Sequence, residues 1–293
     1  MTIYELSIIS STGFPYYNKK IKPVPKGVQV HLRFFDFSEQ VKKDFEDESY
    51  LEFDLKAGLI SALFEFARNI DKKIEVLEFR PKAEEEINQR PVRERIKYKG
   101  DVLMTVTTEK YLLHDQIRRK IELIYENFIS PKIPLDSAYE VLHNEENSLL
   151  DILTDKKAKN HLSRCEKTLK KIAKKYIDEM NRYGLKGIVC CGFDLSPIIC
   201  FSEHNQYHLE DIDEILRGVG NIPEIEALNW KYRQSTYNNK PLWVFIINSG
   251  IGVSVEGLYE NYYYLLLTEP DAYMGEFPRK LANEFNNILT EDI

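Results

Sequence analysis

No apolar run in the chain approaches the ~20 residues that a membrane-spanning helix requires. The opening residues, MTIYELSII, carry neither a basic segment nor a long apolar core. The expectation is a cytoplasmic protein without a transmembrane segment, with partners as a route to a peripheral place on membranes. Cysteine is scarce, at four in 293 residues. Three of the four, Cys190, Cys191 and Cys200, fall inside short apolar runs, which suits reduced structural thiols better than a disulfide framework. There is no G-x-x-x-x-G-K-[ST] phosphate loop and no G-x-S-x-G elbow. Gly250-Ile-Gly252 lacks the third glycine of a dinucleotide fold and reads as a turn after Ile247. Carboxylates are abundant but follow no recognisable spacing, so no catalytic residue and no cofactor is assigned. Positive charge is also in deficit: the net charge of −7 argues against a general binder of nucleic acid or anionic membranes, although a global count can hide a local basic patch.

Two constellations invite chemistry and are weighed against plainer readings. Cys200, His204 and His208 have the spacing C-x3-H-x3-H. Cys200 lies in a strand-like run and no Cys-x-x-Cys accompanies it, so a buried thiol beside two exposed histidines is preferred to zinc and no metal is assigned. Tyr259, Tyr262, Tyr263 and Tyr264 could form a base-stacking platform, but strand alternation places neighbours on opposite faces, which favours core and edge packing.

At 43% hydrophobic and 12% aromatic, the chain has material for two cores. Its centre is Gly184 to Glu203, GLKGIVCCGFDLSPIICFSE, where the apolar runs Ile188–Phe193 and Ile198–Phe201 flank the turn residues Asp194, Ser196 and Pro197. Both runs are nearly continuously apolar, which predicts a central hairpin covered on both faces.

Ile3–Ser10 and Phe14–Ile21 predict an opening hairpin. Val28–Phe37 predicts a further strand with Val28, Val30, Leu32 and Phe34 on one face. An acidic patch between Lys42 and Asp54 is a solvated loop or an acidic docking site. Helical spacing marks Leu55–Ile70, strands follow at Ile74–Phe79 and Val102–Thr107, and a second helix spans Leu112–Phe128. Leu135–Lys159 predicts one or two short helices that join docked halves. A long helix capped by Asn160 and ended by Gly184 leads into the central hairpin. Beyond it come a helix around Leu209–Val219, strands at Leu228–Arg233, Leu242–Ile247 and Tyr259–Leu267, and a last helix from about Phe277. The stretch Lys156–Lys175 carries eight lysines, either a solvated face or a surface for phosphates or an acidic partner, including the chain's own acidic patch.

The fold class predicted is α+β, with two antiparallel five-stranded sheets and flanking helices. The boundaries are residues 1–134, a helical connector at 135–159, and residues 160–293. This element order, together with the apolar-Asp-x-x-Pro-apolar hairpin at Phe193–Ile198, resembles a longin-type domain followed by a roadblock-type domain. The insertion from Lys22 to Asp54 departs from the compact longin pattern. The resemblance implies a binding platform that regulates or scaffolds a Ras-like small GTPase, with no intrinsic catalytic activity, and a homo- or hetero-oligomer formed through sheet edges or helices. No nucleic-acid partner is expected. Interface-prone residues place partner binding at Tyr16 and Tyr17, at Lys56, Glu65 and Arg68, and at Asp211, Glu214 and Arg217. For each of these an ordinary solvated or core position is the plainer alternative. A nucleotide-independent adaptor and a small-ligand sensor remain alternative functions.

Overall fold

Alternating burial along the first strand shows how the opening hairpin forms. In β1 (Ile3–Ser10), Tyr4, Leu6 and Ile8 are buried while Glu5, Ser7 and Ile9 are partly exposed, which is the period-two pattern of a half-covered strand. The computed structural model describes residues 2–10, 15–37, 62, 65, 102–133 and 141–290. β1 pairs with β2 (Pro15–Lys20) and with β4 (Val102–Glu109), and β3 (Val30–Asp36) joins the far side of β4, all antiparallel, in the order β2-β1-β4-β3. Helix α1 (His114–Ile124) packs on the inner face of this sheet and continues through a π-helical turn to Ile129. Phe37 stacks on Tyr125 at 4.1 Å between ring centroids, and Phe35 on His114 at 5.8 Å.

After the connecting helix α2 (His143–Leu153), the 25-residue helix α3 (Lys156–Met180) leads through Gly184, at φ 94°, into β5 (Leu185–Cys191). The second sheet has the antiparallel order β6-β5-β9-β8-β7, with β6 at Pro197–Ser202, β7 at Trp230–Tyr237, β8 at Lys240–Val255 and β9 at Leu258–Thr268. On one face α3 and α5 (Phe277–Thr290) bury Leu162, Leu169, Leu281 and Phe285 against Ile188, Tyr264 and Leu266. On the other, α4 (Leu209–Gly218) sets Gly218 against Ser235, whose hydroxyl donates to the Ile215 carbonyl at 2.6 Å. The protein is therefore α+β with two antiparallel sheets, of four and five strands among the described residues. The predicted strand Ile74–Phe79 lies outside them, as does the predicted helix Leu55–Ile70 apart from Ala62 and Glu65, which are helical and exposed. Both sheets belong to one compact unit, residues 1–38 with 99–293.

The structure sets which face of β3 points inward and corrects two expectations. On β3 the face holding Leu32 and Phe34 points outward, at 44% and 50% exposure, while Arg33, Phe35 and Phe37 are buried. Both faces of this strand carry apolar residues, and the inward choice is fixed by Arg33, whose guanidinium donates to Thr108 Oγ1 at 2.9 Å and to the Leu112 carbonyl at 2.7 Å. The long helix starts at Lys156 rather than after Asn160, because Asp155, at φ 52°, already bends the chain into it. Gly250 to Gly252 does not end a strand. It forms a bulge within β8, and the turn comes at Glu256 and Gly257.

The bulge explains why glycine is needed at position 252. A Cβ there would lie 1.5 Å from the Glu260 carbonyl oxygen on β9, so the two backbones pass at a distance only glycine allows. Gly252→Ala is expected to cost about 3 kcal/mol or more, read as a lowered urea midpoint with an unchanged slope.

Candidate functional site

Lys120 stands in the apolar stripe of α1, between Ile117 and Ile121 and one turn before Ile124, and it is fully buried. A lysine in such a place needs acceptors on the facing element. The second half of the chain supplies them. Lys120 Nζ donates to Asp194 Oδ2 at 2.8 Å and to Asp155 Oδ1 in a shorter contact, and both carboxylates are buried.

Local sequence places each acid. Asp194 sits in the β5–β6 turn, where its Oδ1 accepts from the Ser196 amide at 2.9 Å and from the Ser196 hydroxyl at 2.5 Å. That is the Asx geometry that aspartate offers a tight turn. Its second oxygen is then left facing α1. Asp155 precedes α3 but makes no cap with its side chain, so its carboxylate is available to Lys120. Gly192 makes room for it, since a Cβ there would come 2.6 Å from Asp155 Oδ2.

Further bonds surround this joint. Leu113 N–H donates to the Asp194 carbonyl at 3.3 Å, and the hydroxyls of Thr2 and Ser196 meet at 2.5 Å. Tyr111 donates to Asp213 at 2.6 Å. Arg217 on α4 grips the fully buried Glu109 with two bonds of 3.0 and 2.7 Å, and Tyr4 donates to the same carboxylate. A forked guanidinium–carboxylate pair fixes orientation as well as separation.

The two carboxylates that share Lys120 are shifted in opposite directions. Burial works against the charge of Asp194, but Lys120 and the two Ser196 donors outweigh it and hold the carboxyl below its usual range. Asp155 has no donor for Oδ2, so burial and then the Asp194 charge push it up to about 7. Glu260 on β9 is buried with Oε1 unpaired, and burial followed by the Asp155 charge pushes it up to about 8. Burial opposes the charge of Lys120 too, yet Asp155 and Asp194 together hold its pKa above the ordinary lysine value.

The partner-binding residues expected from the sequence fall in separate places. Tyr16 and Tyr17 are half-buried on β2, and Tyr17 donates to Glu146 on α2 at 2.9 Å, beside a Lys19–Glu146 pair at the same distance. Asp211 accepts from the His208 amide at 2.7 Å as part of the α4 cap, and Glu214 is exposed. Arg217 is committed to Glu109 inside the joint. Glu65 is exposed, while Lys56 and Arg68 lie outside the described residues. Cys200 is in β6 and its thiol donates to the Tyr207 carbonyl at 3.6 Å, whereas His204 projects into solvent with 92% of its side chain exposed. Among the described residues no group of His, Cys, Asp and Glu is arranged to hold a metal ion. Cys190 and Cys191 are fully buried, and burial pushes both thiols up, away from nucleophilic thiolate. A surface cleft of about 440 Å³ lies between the end of α4 and the β7–β8 hairpin.

Sequence reasoning missed Lys120, Asp155 and Asp194 as partners. The available signal was a lysine inside the stripe Ile117-Ile121-Ile124. The chain matches no family model, and no curated protein is significantly similar to it.

Two outcomes follow from the joint. Lys120→Met leaves two buried carboxylates without their cation and is expected to cost about 3–5 kcal/mol in urea unfolding, with part of the loss recovered by adding Asp155→Asn. The native state binds protons at Asp155 and Glu260 that the unfolded chain has released, so stability falls as pH rises from the usual carboxylate range to about 8. Glu260→Gln is expected to flatten that fall and to raise stability at pH 8 by about 2 kcal/mol, measured as unfolding midpoints across pH.

Proposed function

We propose that the chain is a tandem longin/roadblock-type binding platform that regulates or scaffolds a Ras-like small GTPase. Support comes chiefly from the joint: two antiparallel sheets are fixed to each other by buried charges, so the strands and helices at their margins form one rigid surface. A platform gains affinity when its docking elements are held in place before the partner arrives. β6 and β7 are the outer strands of the second sheet, and edge strands of this kind accept an added strand.

The margin at β3 has a further feature that suits docking. Leu32 and Phe34 are exposed on this strand, and exposed apolar side chains that share one strand face supply the anchors that interfaces need. By contrast, Lys120, Asp155, Asp194, Glu109 and Arg217 are paired within the joint. Any acceleration of nucleotide exchange or hydrolysis would then come from the chemistry of the GTPase itself, through reshaping of its switch loops.

Immobilised protein is expected to capture a small GTPase from its native lysate preferentially in one of two conditions, GDP or a non-hydrolysable GTP analogue. Leu32→Asp with Phe34→Asp should reduce capture at least tenfold while leaving the unfolding midpoint within about 0.5 kcal/mol, the range of ordinary surface substitutions. Capture of the same partners in both nucleotide states would favour the adaptor function, and capture of no GTPase in either state would refute the proposal.

A further inference from the structure

The exposed side of α3 concentrates positive charge. Between residues 164 and 175 it carries six basic side chains, Arg164, Lys167, Lys170, Lys171, Lys174 and Lys175, and one acid, Glu166, in a chain whose net charge is −7. All six are exposed. At 100° per residue they occupy an arc of about 140° along roughly 18 Å of helix. The opposite arc, with Cys165, Leu169, Ala173 and Tyr176, is buried in the core of the second sheet.

None of the six forms an ion pair with another described residue, although the Lys175 ammonium lies 5.6 Å over the Tyr176 ring. Neighbouring like charges on a helix repel, and this stripe holds six of them with one acid in relief. A polyanion of matching dimensions would remove that repulsion.

From this stripe we infer that α3 is a docking surface for an anionic lipid bilayer. None of the six has an unpaired buried polar atom, so the stripe senses charge density rather than shape. Five of the six are lysines, strongly hydrated point charges suited to a diffuse surface potential, whereas shape-specific phosphate recognition uses the arginine fork. A protein partner would need apolar or aromatic anchors, and the stripe has none at its exposed positions. Single-stranded nucleic acid would need stacking rings there, and these too are missing. A cluster of four to eight basic residues along a helix matches what an anionic headgroup layer attracts. The global negative charge does not prevent this, because contact is made within about one Debye length of the stripe itself.

The inference is independent of the GTPase proposal, because vesicles of pure lipid contain no protein partner. The full chain is mixed with phosphatidylcholine vesicles, or with the same vesicles containing about 30% phosphatidylserine, and sedimented in about 0.1 M and 0.5 M salt. Binding is expected only to the phosphatidylserine vesicles and only in low salt. Lys167→Gln with Lys170→Gln, Lys171→Gln and Lys174→Gln should weaken it more than about tenfold while the far-ultraviolet circular dichroism stays unchanged. Lys231→Gln with Lys240→Gln, at the β7–β8 hairpin, should leave it unaltered. Equal binding to both vesicles, undiminished binding by the four-lysine variant, or binding of polyuridylate in preference to phosphatidylserine vesicles would overturn the inference.

Discussion

A buried ammonium without water has to find anions, and in this protein that requirement links the two halves of the chain. Lys120 belongs to the first sheet's helix by sequence and by helical spacing, yet its acceptors come from the entrance to α3 and from the β5–β6 turn. The first sheet cannot present this helix in isolation without exposing or neutralising the lysine. A buried ion pair is weak as a source of net stability, because desolvation of both charges opposes their attraction. It is strong as a source of specificity: only one relative placement of the two sheets satisfies the ammonium, both carboxylates and the Leu113–Asp194 backbone bond. Arg217 and Glu109 repeat the arrangement at a second point, with a geometry that also fixes rotation.

The joint carries an unbalanced acidity. Asp155, Asp194 and Glu260 surround Lys120, with Lys159 partly buried nearby. Asp194 is the member with enough donors to stay charged. Burial, followed by the charge of a neighbouring acid, pushes Asp155 up to about 7 and Glu260 up to about 8, so the packing of α3 and β9 against α1 is sensitive to pH near neutrality. Gly192 and Gly252 show the same closeness in steric form, since each stands where a methyl group would meet a neighbouring carboxylate or carbonyl.

Much of the architecture was legible because local pattern determines it. Period-two alternation marks β1, the apolar runs around Asp194 mark β5 and β6, and stripes at helical spacing mark α1, α3, α4 and α5. What was not legible falls where local pattern is ambiguous or long-range contact decides. Strand β3 has apolar residues on both faces, and the hydrogen bonds of Arg33 to Thr108 and Leu112, far along the chain, select the inward one. Gly250 and Gly252 resemble a turn until β9 is alongside, when they become a bulge. Asp194 was recognised for its turn chemistry, but its partner is 74 residues earlier, and nothing local to either residue couples them. Arg217 is named among the interface-prone residues by its type, and only the folded chain shows that it pairs with Glu109. Long-range pairing of this kind leaves only one trace in a single sequence, a charged residue standing in an apolar stripe.

Rigid coupling of the two sheets is what a shared binding surface requires, and it is directly observable. Native-state hydrogen exchange, followed at amides of Met104–Val106 in the first sheet and Ile188–Cys190 in the second, measures the free energy of opening at each. With the sheets coupled through Lys120, both sets exchange by one global opening with a common free energy, and that free energy drops equally in both when Lys120 is replaced by methionine. Exchange with separate free energies, or a drop confined to one sheet, would contradict the claim that the buried charges make the two sheets one body.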